Sequence, residues 1–161
     1  MKNVMKNLIT LVLISILCVG CSSDDSNTSD TGNSADLIRD IATDGTWRIT
    51  YFFDTDSDET SDFQGYSFTF GADGQLTAVN ANTTVVGDWS VIDDDSNSSS
   101  DDDGNSSDDD DFIIFFPVPE SNDFEDLNDD WDVVSVTANK IELTDVSGGN
   151  GGTDFLTFEK I

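Results

Sequence analysis

From Gly45 onward the apolar residues of this chain fall into short runs, most of them with period two. WRITYFF (Trp47 to Phe53) puts Trp47, Ile49, Tyr51 and Phe53 on one face. YSFTF (Tyr66 to Phe70) alternates cleanly, the GADG turn follows, and QLTAVNA (Gln75 to Ala81) comes next. TVVGDWSVI (Thr84 to Ile92) groups Val85, Gly87, Trp89 and Val91. FIIFFPV (Phe112 to Val118) is apolar on both faces, so one of them needs cover from a helix or a partner. WDVVSVT (Trp131 to Thr137), KIELTDV (Lys140 to Val146) and DFLTFEKI (Asp154 to Ile161) complete the series. A side-chain period of two is the mark of a strand with one buried face. Eight such strands, separated by turn signals and never alternating with long helices, predict an all-β, antiparallel, up-and-down eight-stranded barrel. Closing the sheet removes its exposed edges. GGNGG (Gly148 to Gly152) reads as a flexible turn between the last two strands, since no helix follows it to make a phosphate loop.

Ahead of the strands, SADLIRDI carries Leu37, Ile38 and Ile41 at helical spacing, with Ser34 available as N-cap. This predicts a short N-terminal helix acting as a lid or plug. Residues 22 to 33 are Ser, Asp, Asn, Thr and Gly, with nothing to bury, and read as a solvated tether. The organisation expected is a targeting segment at 1–20, a disordered tether at 21–34 and one barrel domain at 35–161. The stretch at 93–111 is an acidic insertion in that domain.

That insertion, DDDSNSSSDDDGNSSDDDD, has no apolar side chain. Neighbouring carboxylates lie within a Debye length of about 8–10 Å and repel, so the segment is expected to stay extended and disordered. The best calcium-loop register starts at Ser99, with Asp101, Asp103, Gly104 and Asp110 at ligand or turn positions, but position one is Ser and position twelve a short Asp. DTDSDETSD (Asp54 to Asp62) has Glu59 where the turn needs Gly. Weak, diffuse binding of divalent cations is expected there, and no structural metal site. Residues 35–92 supply only four strands, too few for a core of their own, so the insertion is a loop between strands four and five.

The 34 acidic residues, against 6 basic ones, give a net charge of −28. That charge opposes nucleic-acid phosphates and anionic lipid alike. The chain has no His, so neither a Ser-His-Asp nor a Cys-His mechanism can be built from it. The Asp129/Asp130 pair has the residue type for acid–base work, but pairs of this kind arise by chance in so acidic a chain. No enzyme and no cofactor is expected.

Lys2 and Lys6 precede the uncharged run LITLVLISIL (Leu8 to Leu17), which suits a secretory signal and is too short to span a bilayer alone. CVGC then places Gly20 before Cys21. This resembles the lipobox of bacterial lipoproteins, although Cys18 stands where Leu is usual, and it implies acylation of Cys21. The other reading is an ordinary signal peptide cut elsewhere, which leaves Cys21 a free thiol. Cleavage before Cys21 removes Cys18, Lys2 and Lys6, and with Cys18 the only partner for a disulfide. The CSSDD start also resembles lipoproteins of Bacteroidota. That resemblance implies a lipid-anchored protein of the bacterial outer membrane, facing the periplasm or the cell surface, whose membrane partner is held through acyl chains such as palmitate.

GTW (Gly45 to Trp47) opens the first strand just after a helical turn, and GDW (Gly87 to Trp89) repeats the motif on the fourth. With the closing segment Phe124 to Lys160, the chain resembles lipocalin-like lipoproteins of Bacteroidota. Lipocalins lay an Arg from the last strand over the first Trp; here Lys160 is the residue available. The resemblance implies a barrel that binds a small apolar or amphipathic ligand without catalysis. The candidate ligand-binding residues are Trp47, Tyr51, Phe68, Trp89, Ile114, Phe116 and Trp131. The alternative is that Trp47, Phe68, Phe70, Trp89 and Phe158 simply fill the core. The protein would then be a tethered structural or interaction module meeting envelope proteins or glycans with its surface.

Overall fold

The computed structural model describes residues 34–93, 110–146 and 152–161. Helix α1 (Ser34–Thr43) is followed by β1 (Trp47–Asp54), β2 (Ser57–Asp58), β3 (Ser67–Phe70), β4 (Gln75–Val79) and β5 (Thr84–Ile92). Then come β6 (Asp111–Phe115), β7 (Asp129–Thr137), β8 (Lys140–Asp145) and β9 (Asp154–Lys160). β2 is a two-residue return against the end of β1. The other eight strands pair in chain order, and β1 also pairs with β9, closing an antiparallel up-and-down barrel. β5 and β6 are direct partners, with Ile92 opposite Asp111, so the acidic segment joins the two strands of a hairpin. Residues 94–109 of that segment lie outside the described residues, as do 1–33, including the targeting segment, Cys21 and the tether. Ser147 and most of the GGNGG turn (148–151) do too, although β8 and β9 pair as the hairpin it was expected to join.

α1 buries Ala35, Ile38 and Ala42, one narrow stripe of mostly small residues that lets the helix sit close on one end of the barrel. Leu37 is instead 61% exposed, and Ile41 is only partly buried, so the apolar face is turned from the one the spacing suggested. The helix covers the barrel end and not the outer face of β6, where Phe115 remains half exposed. The other end is closed by two single-turn 3-10 helices, Thr60–Phe63 and Glu125–Leu127, which carry Phe63 and Leu127 into the core. Asn128 ties the second turn to the end of β6: its amide accepts from the Phe116 N–H and donates to the Phe116 carbonyl.

A bulge divides β1. Against β9, Ile49 faces Phe158 and Tyr51 faces Thr157, leaving Thr50 as the extra residue. One extra residue reverses the alternation, so Trp47 and Ile49 point inward but Phe52 replaces Tyr51 inside. Tyr51, expected on the inner face, is 41% exposed on the outer wall and stacks on Phe53 at 6.4 Å. β7 has a second irregularity between Val133 and Ser135.

The GDW glycine has a steric cause. A Cβ on Gly87 would lie 2.3 Å from the Phe115 carbonyl oxygen and 2.7 Å from the Phe116 ring. The close approach of β5 to β6 therefore requires glycine. We expect Gly87→Ala to destabilise the protein by about 1–3 kcal/mol, as overpacking does. A denaturant midpoint unchanged from the parent would refute this account.

Candidate functional site

The candidate ligand-binding residues are expected to face the barrel interior. Trp47, Phe68 and Phe116 are wholly buried, Ile114 and Trp131 are 1% exposed, and Trp89 is 7% exposed. Their surroundings are aromatic. Phe70 meets Trp89, Phe112 and Phe158 edge-on, at centroid distances of 5.1, 5.4 and 5.4 Å. Phe68 meets Phe158 at 5.4 Å, and Phe116 meets Phe124 at 4.9 Å. Phe63 joins Phe52 and Phe124 at 5.5 and 5.4 Å. These spacings are those of packed aromatic pairs, so the rings fill the barrel. The indole N–H groups are also taken up, by the carbonyls of Ala42, Gly71 and Leu127. Six of the seven candidate residues are thus brought together as core, and the seventh, Tyr51, is on the outside.

A different cavity opens through the barrel wall. β1 and β3 pair through Trp47 and Phe68, and beyond that point the two strands diverge. The chain between them folds back as the Thr60–Phe63 turn, held by Thr60, whose hydroxyl accepts the Phe52 amide. What remains is an open cleft of about 500 Å3. Ile49 and Phe63 form its floor. Thr50, Ser61, Gln64, Tyr66 and Ser67 bring hydroxyls and an amide to its walls, and Arg48 stands at one side. Arg48 lies 3.6 Å from Glu159, too far for a hydrogen bond, and its side chain is 57% exposed. A second depression, about 340 Å3 under α1, is bordered by Arg39, but that guanidinium already donates to Asp36 and to the Val91 carbonyl. Sequence reasoning missed the lateral cleft because its residues are ordinary surface Ser, Thr and Gln. Only the lone Phe63 in SDFQGY hinted that this loop turns inward.

No family model matches the chain, and no curated protein does. A crystal structure of a DUF4847 family protein from Bacteroides vulgatus is similar over 77% of this chain and 97% of that one, with 18% identity and a TM-score of 0.49.

Carboxylates gather elsewhere on the barrel, and two of them, Asp58 and Asp62, also accept hydrogen bonds from Thr60 and Ser61 of the cleft wall. Asp129 faces Ile114 across the β6–β7 pair and accepts the Asp130 amide. Partial burial pushes its pKa up to about 6, reinforced by a hydrogen bond with the Asp130 side chain and by the charge of Asp145. Asp145 is raised in turn by burial and by Asp154, Asp130 and Asp132, and its Oδ2 has no hydrogen-bond partner. A second group, Glu59 and Asp126, is raised by burial and by a shared neighbour, Asp54. Two groups run the other way: Thr60 lowers Asp58, and Lys140 with Ser135 lowers Glu142. Among the described residues no three acidic or thiol side chains converge as metal ligands.

A carboxyl whose folded pKa is raised binds its proton more tightly in the fold than in the unfolded chain. The stability it contributes is complete below pH 4 and lost as the pH rises through about 6. We expect Asp129→Asn to stabilise the protein at pH 7 by about 1 kcal/mol, after allowing for solvent screening, and to make little difference at pH 4. Asn retains the acceptor for the Asp130 amide. Thermal melts at the two pH values test this; a variant no more stable than the parent at pH 7 would contradict it.

Proposed function

We propose that this chain is a lipid-anchored, non-catalytic recognition module of the bacterial cell envelope, with a filled barrel that meets its partners through its outer surface. The observation that carries the reading is Phe70, in edge contact with Trp89, Phe112 and Phe158 at the heart of the barrel. A ligand seated among the interior candidates would have to displace such rings, each of which stabilises the fold by about 1.5–3 kcal/mol through burial. Two features support a non-catalytic role. The chain has no His, and neither cleft includes Asp129, whose carboxyl is pushed up to about 6. The anchor is supported by the LITLVLISIL run and the Gly20–Cys21 junction ahead of a polar tether. Several acyl chains would hold the protein firmly, since one alone holds only marginally.

Organic extracts of the natively purified protein, analysed by mass spectrometry, are expected to contain no stoichiometric apolar species beyond the attached acyl chains. A lipid-like compound recovered in molar ratio across repeated preparations would sink the filled-barrel reading. Cys21→Ala is expected to release the protein from the membrane fraction; a variant that still sediments with membranes would remove the anchor from the proposal.

A further inference from the structure

We propose that the lateral cleft between β1 and β3 binds a neutral saccharide residue. This deepens the surface-recognition reading and rests on it. Size is the first argument: about 500 Å3 falls within the roughly 300–1,000 Å3 of small-molecule sites.

Charge is the second. Eleven residues line the cleft, and none is Asp or Glu. At the chain's own frequency of 34 acids in 161 residues, about two of the eleven would be acidic. The lining is therefore poor in charge beside a strongly anionic surface: its one charged side chain, Arg48, is offset by Glu159 at 3.6 Å. A cationic ligand finds no carboxylate in its lining, and a polyanion is repelled by the rest of the protein. An apolar ligand would cut the hydroxyls of Thr50 and Ser67 off from water, which is costly. Neutral and rich in hydroxyls is the chemistry that remains.

Geometry is the third. A sugar ring has one apolar C–H face and a rim of hydroxyls. Tyr66, half-buried and packed against Phe124 at 5.0 Å, offers a fixed aromatic wall for such a face. Opposite it, the bulge makes Thr50 the extra residue of β1, and Gln64 and Arg48 add donors at the mouth. Bulges commonly serve to re-aim side chains beside binding sites.

The test is ligand-observed saturation-transfer NMR on the full chain, with glucose, galactose, mannose and N-acetylglucosamine as separate millimolar probes and glucuronate as the charged one. At least one neutral sugar is expected to bind saturably. Arg48→Ala with Gln64→Ala should weaken that binding about ten-fold or more, and Gln64→Ala alone by less. Tyr51→Ala, on the outer wall, should leave it unchanged. All three positions are exposed, and matching thermal midpoints would verify the fold. Saturable binding by none of the neutral sugars, or by glucuronate alone, overturns the proposal. So does neutral-sugar binding that survives the double variant. If that binding is instead lost in Tyr51→Ala, the site is the outer wall where Tyr51 stacks on Phe53 and Phe53 meets Phe155 at 6.5 Å: the cleft assignment fails while surface recognition stands. A bound apolar species in the extracts would fail the underlying reading independently of any sugar result.

Discussion

The barrel closes through Trp47. It is the residue of β1 that joins β3 to β9, pairing with Phe68 on one side and Lys160 on the other. Its indole N–H donates to the Ala42 carbonyl at the end of α1, so the same side chain also fixes the helix over the barrel mouth. Lys160 returns over the indole, 5.8 Å from its centre, and pairs with Asp44 at 2.9 Å. Gly45 makes room for this: its φ is +123°, and a Cβ there would lie 2.6 Å from the Lys160 side chain. The spacing of GTW thus follows from geometry. The glycine admits the lysine, and two residues on, the tryptophan joins first strand, last strand and helix.

Closing the ring at a single residue leaves the rest of the β1–β3 seam open, and the structure uses that freedom in two ways. The bulge at Thr50 exchanges Tyr51 for Phe52 inside, supplying a ring that packs against Phe63 and Trp131. The loop from β2 to β3 then folds into the seam and sends Phe63 inward. Core filling and cleft formation are one event: the turn that delivers Phe63 also lines the opening with Ser61 and Gln64.

The strands, their order and most of their inward faces were legible in the sequence, because period two is set by covalent geometry and turn residues mark where it stops. Trp89 and Val91 on β5, and Phe68 and Phe70 on β3, lie where alternation put them. Tyr51 does not, because a bulge adds a residue without changing the apolar pattern; WRITYFF reads equally well in either register after Thr50. Leu37 misled for a related reason. In a short helix rich in small residues, Ala35 and Ala42 supply the close contact, and a larger side chain is left outside. The cleft was illegible because it is made by the divergence of two strands, which no local pattern records.

Charge sets the remaining constraint. The four described basic residues are each paired with an acid, yet every pair has an exposed partner, and such contacts contribute little. Carboxylates outnumber their partners everywhere else, and Asp129 and Asp145 resist ionisation where they are partly buried. A chain with this self-repulsion cannot draw its stability from its surface. It must draw it from apolar contact, which explains why so many rings are spent inside a barrel of eight strands. A hollow interior would remove the one large favourable contribution that offsets the repulsion. The filled barrel is therefore a consequence of the acidic composition, and it leaves the outer surface as the place for the recognition proposed above.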